Sequence, residues 1–365
     1  MSNFFWIFLV GVPVLGLLVL VHELGHFLAA KLCGVAVLRF SVGFGPSICR
    51  FKRGETVYQL AWIPLGGFVK MAGDFADTFL EGGDEDVAGG SESDAIPRDK
   101  WFMEKSICRR AIIVAAGPVF NLLFSLVAIA SIFYFYGFYS DDPVVGALLE
   151  DSPAGEAGVL PGDRISSIDG SAIASWTELA ETVAFSEGKT LSLLVERDSG
   201  PVEFSVKPRL AEGGKLYRIG ISKKVEKRSI DLLPSIYRAS QRTLFEIRTI
   251  YGGLWSLVTE RDAINNIAGP VFIFQIVSKK AEQGFEQLLR FVAILSLYLA
   301  VFNLLPIPVL DGGYLLFFLI EALWGRLSPR AMHYCQSLGM TLLLFLMIFA
   351  FVNDCSRDPA LLSTP

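Results

Sequence analysis

The chain has 365 residues, 52% of them hydrophobic and 19% charged, with a mean hydropathy of +0.49. That composition excludes an ordinary water-soluble domain and points to lipid as solvent. The net charge of −5 excludes nucleic acid as a partner, because such binding needs a basic footprint.

Four stretches are long and apolar enough to cross a bilayer core of about 30 Å: Phe4–Val21, Ala111–Ser140, Phe291–Leu310 with its continuation to Ile320, and Ala331–Asn353. The first reads as a retained helix, since MSNFFW lacks a basic start and HELGH stands where a cleavage site would be. Lys31, Lys105, Arg109 and Arg110 flank the first connecting loop, and Arg326 and Arg330 fill the third. The positive-inside rule then places those loops in the cytoplasm, with both termini and the long second loop outside. The expected class is a polytopic α-helical membrane protein: four transmembrane helices, a membrane-associated β-hairpin region and one extracytoplasmic α+β domain.

In chain order, residues 1–32 are the first transmembrane helix, ending in HELGH. Residues 33–73 alternate β-formers with the turn signals GFGP, KRGE and PLGG, which predicts two or more short hairpins dipping against the membrane domain. Residues 74–105 open with an acidic, Gly- and Ser-rich stretch that reads as a solvated cytoplasmic loop. Residues 106–140 are the second span. Residues 141–212 form a compact domain with strands at VVGALL, RISSIDG, LSLLVER and VEFSVKP, and a helix opened by a Ser175/Glu178 capping box. Residues 213–290 are extracytoplasmic amphipathic helices, with Ile236, Leu244, Ile247, Tyr251 and Leu254 sharing a face. Arg238, Arg242, Glu246 and Arg248 rule out a fifth span there, and VFIFQIV is too short to cross. Residues 291–322 are the third span, 331–353 the fourth and 354–365 an outer tail. Five cysteines, at 33, 49, 108, 335 and 355, form no CxxC pair and read as free thiols.

The chemistry concentrates in two spans. His22 and His26 lie one helical turn apart on one face and suit a single zinc ion. Glu23 is too close in sequence to be a third ligand and is placed to act as general base. The alternative is a chance polar cluster at a helix end. Asp311 is the only charge between Arg290 and Glu321. A lone carboxylate in hydrocarbon is costly, and a metal partner removes the difficulty. Both spans run from outside to inside, over about 27 and 30 Å of helix, so both deliver their ligands to the cytoplasmic side. Pro306, Pro308 and Gly312-Gly313 must interrupt the third helix. The Asn303 amide suits a substrate carbonyl or an oxyanion, or an interhelical hydrogen bond. In GPVFN, Gly117 and Asn121 share a face suited to close helix packing, with substrate contact as the other reading for Asn121.

HELGH, GPVFN, the stretch SPAGEAGVLPGDRISSIDG and NLLPIPVLDGG, in this order, resemble the site-2 protease family. GFGP, IPLGGFVKM and MIFAFVND resemble its bacterial regulator of sigma-E protease branch. The 141–212 region is similar to a PDZ domain, and only one fits, whereas well-known members of the branch carry two. The resemblance implies intramembrane zinc proteolysis in a bacterial inner membrane, with zinc on His22, His26 and Asp311 and water activated by Glu23. It implies single-span membrane proteins as substrates, including anti-sigma factors and remnant signal peptides. It further implies an extended peptide or C-terminal tail at the PDZ domain, and hairpins that clamp the substrate as a strand, with Asn303, Asn121 and Gly67 as substrate-binding residues. A membrane metal transporter using the same ligands, or an inactive PDZ scaffold, are the rival readings. Transit has no need of Glu23, and a scaffold has no need of metal.

Overall fold

The computed structural model describes residues 2–73, 96–197, 200–210, 217–224, 227–228, 230–259, 269–325 and 328–356. The chain runs α1 (Ser2–Leu32), β1 (Val37–Arg53), β2 (Thr56–Met71), α2 (Ile107–Tyr136), β3 (Phe138–Tyr139), β4 (Val145–Leu148), α3 (Pro153–Glu156), β5 (Arg164–Ile168), β6 (Ser171–Ala172), α4 (Trp176–Ala184), β7 (Leu191–Arg197), β8 (Gly200–Val206), β9 (Arg209–Leu210), β10 (Tyr217–Arg218), β11 (Ile221–Lys223), β12 (Lys227–Arg228), α5 (Leu232–Thr259), α6 (Pro270–Glu282), α7 (Phe285–Asn303), α8 (Asp311–Trp324) and α9 (Pro329–Ser356). It divides into two compact units, residues 1–132 with 232–365, and residues 133–231.

In the first unit, α1, α2, α7 and α9 each contain a run long and apolar enough to cross a membrane: Leu9–Leu32, Ile107–Tyr136, Phe285–Asn303 and Ala331–Asp354. The break foreseen in the third apolar stretch is present. α7 stops at Asn303, the chain turns through 304–310, and α8 starts at Asp311. Leu310 is extended, and Val309 holds a φ of 89°, rare for a β-branched residue. Gly339 of α9 lies directly on this turn, since a Cβ there would stand 2.3 Å from the Pro308 carbonyl oxygen.

Helix α6 is pinned from two sides. A Cβ on Gly11 of α1 would overlap the Phe274 ring, and Asp354 of α9 accepts hydrogen bonds from the amides of Gly269 (2.8 Å) and Phe272 (3.0 Å). Those amides belong to the first turn, which has no partner within its own helix.

The hairpins differ from expectation. β1 and β2 make one sheet from four strand segments, not several separate hairpins. Arg39 to Val42 pair on one side with Lys70 back to Gly67, and on the other with Val57 to Leu60 in step. The 56–60 segment then pairs with 53 back to 49 around a single sharp reversal, where Gly54 has a φ of 64°. Residues 43–48 and 61–66 join the segments, and PLGG and GFGP belong to these wide connections. Phe40 and Tyr58 pack against Phe27 of α1, at 5.1 and 5.9 Å between ring centroids, and fix the sheet to the HELGH helix. Glu55 at the reversal binds Lys31 of α1 at 2.8 Å.

On α5 the expected apolar face is largely left outside the bundle. Ser235, Ala239, Thr243, Glu246 and Ile250 are buried, while Ile236, Leu244 and Tyr251 are exposed; only Ile247 and Leu254 of the expected set pack, against Ile250, Leu297 and Val301. Small side chains let helices approach closely, so the large ones are left outside.

Arg110, 1% exposed, makes a two-pronged bond to Glu321 of α8 at 2.8 and 3.0 Å and lies over the Phe318 ring. This ties α8, which carries Asp311, to α2. A flanking cation counted for orientation is thus committed to an internal ion pair.

The second unit buries Val145, Ile165, Ile168, Leu179, Leu193 and Val195 between a four-stranded sheet, in the order β6-β5-β7-β8, and α4. It is wider than the expected 141–212, because β11 pairs with β4 and β12 with β3. Strands of two or three residues are too short to leave a period. Asp169 and Gly170, both at positive φ, close the β5–β6 turn. The Ser175 hydroxyl caps α4, and Glu178 reaches back to the amide of Ala174, one residue before the cap. Asp163 takes two bonds from Arg197, at 2.7 and 2.6 Å, and one from the Leu160 amide at 2.8 Å. Burial raises the Asp163 carboxyl, and these donors more than offset it, leaving it below the usual carboxylate range.

Two outcomes are expected. Arg110→Ala should cost about 3–5 kcal/mol, because it strands a buried carboxylate, and joint replacement of Arg110 and Glu321 by methionine should recover most of it; thermal unfolding in detergent reads both. A carboxyl depressed in the folded state stabilises above its unfolded value, near pH 4, and that contribution is lost as pH falls through the folded value. The protection of β5 and β7 amides, taken relative to their intrinsic exchange rate at each pH, should therefore fall below about pH 4, and Asp163→Asn should remove that acid step.

Candidate metal centre

Three side chains from two helices converge. The Nε2 atoms of His22 and His26 lie 3.1 Å apart. His22 Nε2 is 3.1 Å from Asp311 Oδ2, and His26 Nε2 is 3.5 Å from Asp311 Oδ1. All the donor atoms fall within 4.8 Å of one another, the one such His/Cys/Asp/Glu group among the described residues. Two four-coordinate zinc ligands at about 2.05 Å from the ion would stand about 3.3 Å apart, which matches these separations.

The hydrogen bonding fits a cation. His26 Nδ1 is 2.9 Å from the Ile113 carbonyl oxygen, which can only accept, so Nδ1 carries the proton and Nε2 keeps its lone pair. Asp311 Oδ2 is buried and receives no hydrogen bond, although the His22 nitrogen is beside it. Lone pairs thus face lone pairs in an apolar bundle. Asp311 begins α8, where the helix dipole favours an anion.

Asn121 is fully buried, with Nδ2 3.4 Å from His22 Nδ1 and Oδ1 unpartnered. Exchanging the two amide atoms, which differ only in assignment, lets His22 Nδ1–H donate to Oδ1 and satisfies both groups. Ser296 of α7 holds the Asn121 carbonyl at 2.9 Å. Asn121 thus stands behind His22, in the close helix packing that was the first of its two expected readings.

Glycines allow the helices to come this close. A Cβ on Gly25, inside HELGH, would meet the Ala116 carbonyl oxygen at 2.4 Å; one on Gly117 would meet His26 Nε2 at 2.3 Å and His22 Cε1 at 2.8 Å. Sequence reading marked Gly117 for packing but missed Gly25 and the Ile113 carbonyl. Gly25 carried a signal, a helix-breaking residue kept inside a helical motif.

Glu23 sits beside the triad, facing the sheet. A Cβ on Gly67 would lie 3.4 Å from Glu23 Cγ, and the Val69 amide is directed at the Glu23 carboxylate. Gly67 is thus brought to the site. Asn303 ends α7 half-buried and makes no hydrogen bond to the triad among the described contacts.

Two histidines one turn apart and a carboxylate from a second helix, with a glutamate beside them, are the donor set and neighbouring base that a metallohydrolase centre uses, here among helices long and apolar enough to cross a membrane. The chain belongs to peptidase family M50, whose profile matches residues 10–346. It is a zinc metalloprotease of the site-2, intramembrane type. A relative from Mesorhizobium japonicum is 36% identical over 355 residues, covering 93% of this chain and 96% of its own length. The regulator of sigma-W protease RasP of Bacillus subtilis is 30% identical, covering 94% and 97%, and zinc metalloprotease RasP of Bacillus licheniformis is 31% identical, covering 94% and 97%. Among solved structures, the PDZ domain of an SdrC-like protein from Listeria monocytogenes aligns with 23% of this chain and 87% of its own, at 25% identity and a TM-score of 0.21.

Gly117→Ala should push both imidazoles off their positions and lower zinc retention by at least about tenfold, a loss typical of disturbed ligand support. Chelator competition on the purified chain measures it.

Proposed function

We propose that His22, His26 and Asp311 hold the zinc, and that Glu23 is the general base for cleavage within membrane-spanning segments of single-span proteins. The observation that carries this is Asp311 Oδ2, buried and without a hydrogen bond beside two imidazole nitrogens. When bound, the zinc supplies Lewis acidity at the scissile carbonyl. Glu23 takes the proton of the attacking water on its carboxylate and delivers it to the leaving amine. The Val69 amide directed at Glu23 steadies its orientation.

A helix conceals its carbonyls, so a substrate must unwind before it is cut. The 67–71 segment is an edge of the sheet and passes Glu23 at Gly67. An unwound substrate added to that edge has its backbone paired and its carbonyls exposed beside the triad. Asn303 would serve an oxyanion once substrate is in place. The relative named as a regulator of sigma-W protease supports anti-sigma-factor-like substrates, and remnant signal peptides share the single-span form. In this reading the protein lies in a bacterial inner membrane, with both termini and the 133–231 unit outside and the centre towards the cytoplasm. That unit acts as a PDZ domain, reading an extended peptide or C-terminal tail.

Glu23→Gln should retain stoichiometric zinc and an unchanged fold, yet slow cleavage of a reconstituted single-span substrate by at least about 10²-fold. Cleavage at the original rate would remove Glu23 from this role.

A further inference from the structure

The β1–β2 sheet has two unlike faces. Cross-strand pairing sets Val69, Phe40, Tyr58 and Phe51 in one row, and this row meets Phe27 of α1. The row on one side of it is Lys70, Arg39, Val57 and Lys52, and Arg50 lies in the row on its other side, opposite Gln59. Side chains alternate along a strand, so Lys70, Arg39, Lys52 and Arg50 share the face turned away from α1, with Arg53 at the reversal. Residues 37–71 hold these five cations against one acid, Glu55, which is engaged by Lys31 and Lys100. Arg50, Lys52 and Arg53 are exposed and enter no ion pair among the described residues, and Arg39 Nε is buried without a partner.

Uncovered apolar side chains adjoin this charge. Ile48 is 53% exposed, Trp62 68% and Ile63 50%, all in the connections beyond the cationic rows. Ile48 lies about 7 Å along the strand from Arg50, roughly the step from hydrocarbon to headgroup. We infer that this face of the sheet is a docking surface for anionic phospholipid headgroups, in the leaflet whose hydrocarbon receives residues 44–48 and 60–63. Charge complementarity selects anionic over zwitterionic lipid, and the guanidinium fork of arginine matches a phosphate. The sheet is thereby held at a fixed depth beside α1, independently of any hydrolytic role.

The test uses a cysteine introduced at Gln59, which pairs with Arg50 and shares its face. The full chain, carrying Gln59→Cys and with its native cysteines replaced by serine, is placed in nanodiscs of phosphatidylcholine alone or with one third phosphatidylglycerol. Alkylation of the introduced thiol by a membrane-impermeant maleimide should be at least about fivefold slower in the anionic discs. The difference should vanish in the Arg50→Gln, Lys52→Gln, Arg53→Gln variant, and for the unaltered sheet in about 0.5 M salt, where charges are screened. Equal rates in the two lipids, or a difference that survives both treatments, would overturn the inference. So would slow alkylation in both lipids that is relieved by replacing the acids of residues 74–95 with amides, since the occupant would then be this chain's own acidic stretch.

Discussion

Everything at the centre follows from placing two proton-acceptor nitrogens and a carboxylate within contact distance in an apolar bundle. With the imidazoles neutral and protonated at Nδ1, none of these atoms satisfies another, and hydrocarbon offers no water to separate them. A divalent cation is the group that converts this mutual repulsion into attraction. The surrounding structure reads as the means of forcing the encounter. Gly25 and Gly117 bring α1 and α2 together, the Ile113 carbonyl and Asn121 set the two rings, and the break at 304–310 starts a new helix with Asp311 at its positive end.

The sheet rests one face on the helix that carries the histidines. Its edge and Glu23 are therefore fixed to the same helix, through Phe27, Phe40 and Tyr58 and through the Lys31–Glu55 pair. The α2–α8 clasp at Arg110 and Glu321 does the same for Asp311. His22, Glu23, His26 and Asp311 thus rest on elements locked at more than one point, which a proposed site of sub-ångström placement needs.

The clustering of these side chains was legible because hydrophobic context makes polar residues conspicuous: His22, Glu23, His26 and Asp311 stand out against long apolar runs, and Pro306 and Pro308 announce the broken helix. The supporting contacts were not. Ile113 acts through its backbone carbonyl, which has no sequence signature. Asn121 was visible as a polar residue, but its partner depended on how closely α1 and α2 approach. The sheet was read as separate hairpins because turn signals mark reversals without saying which segment lies beside which. On α5 the apolar residues mark a face, while the neighbouring helix packs on the side of Ala239 and Thr243. Local period identifies an amphipathic helix but not which side its neighbour takes.

The carboxylate of Asp354 has a bearing on biosynthesis. It supplies the acceptors for the opening amides of α6, yet it is made 85 residues after Gly269. Until the last helix has left the ribosome, the opening amides of α6 have no acceptor from this carboxylate, so the cap of a helix seated on Gly11 of the histidine-bearing helix is completed only by the final span.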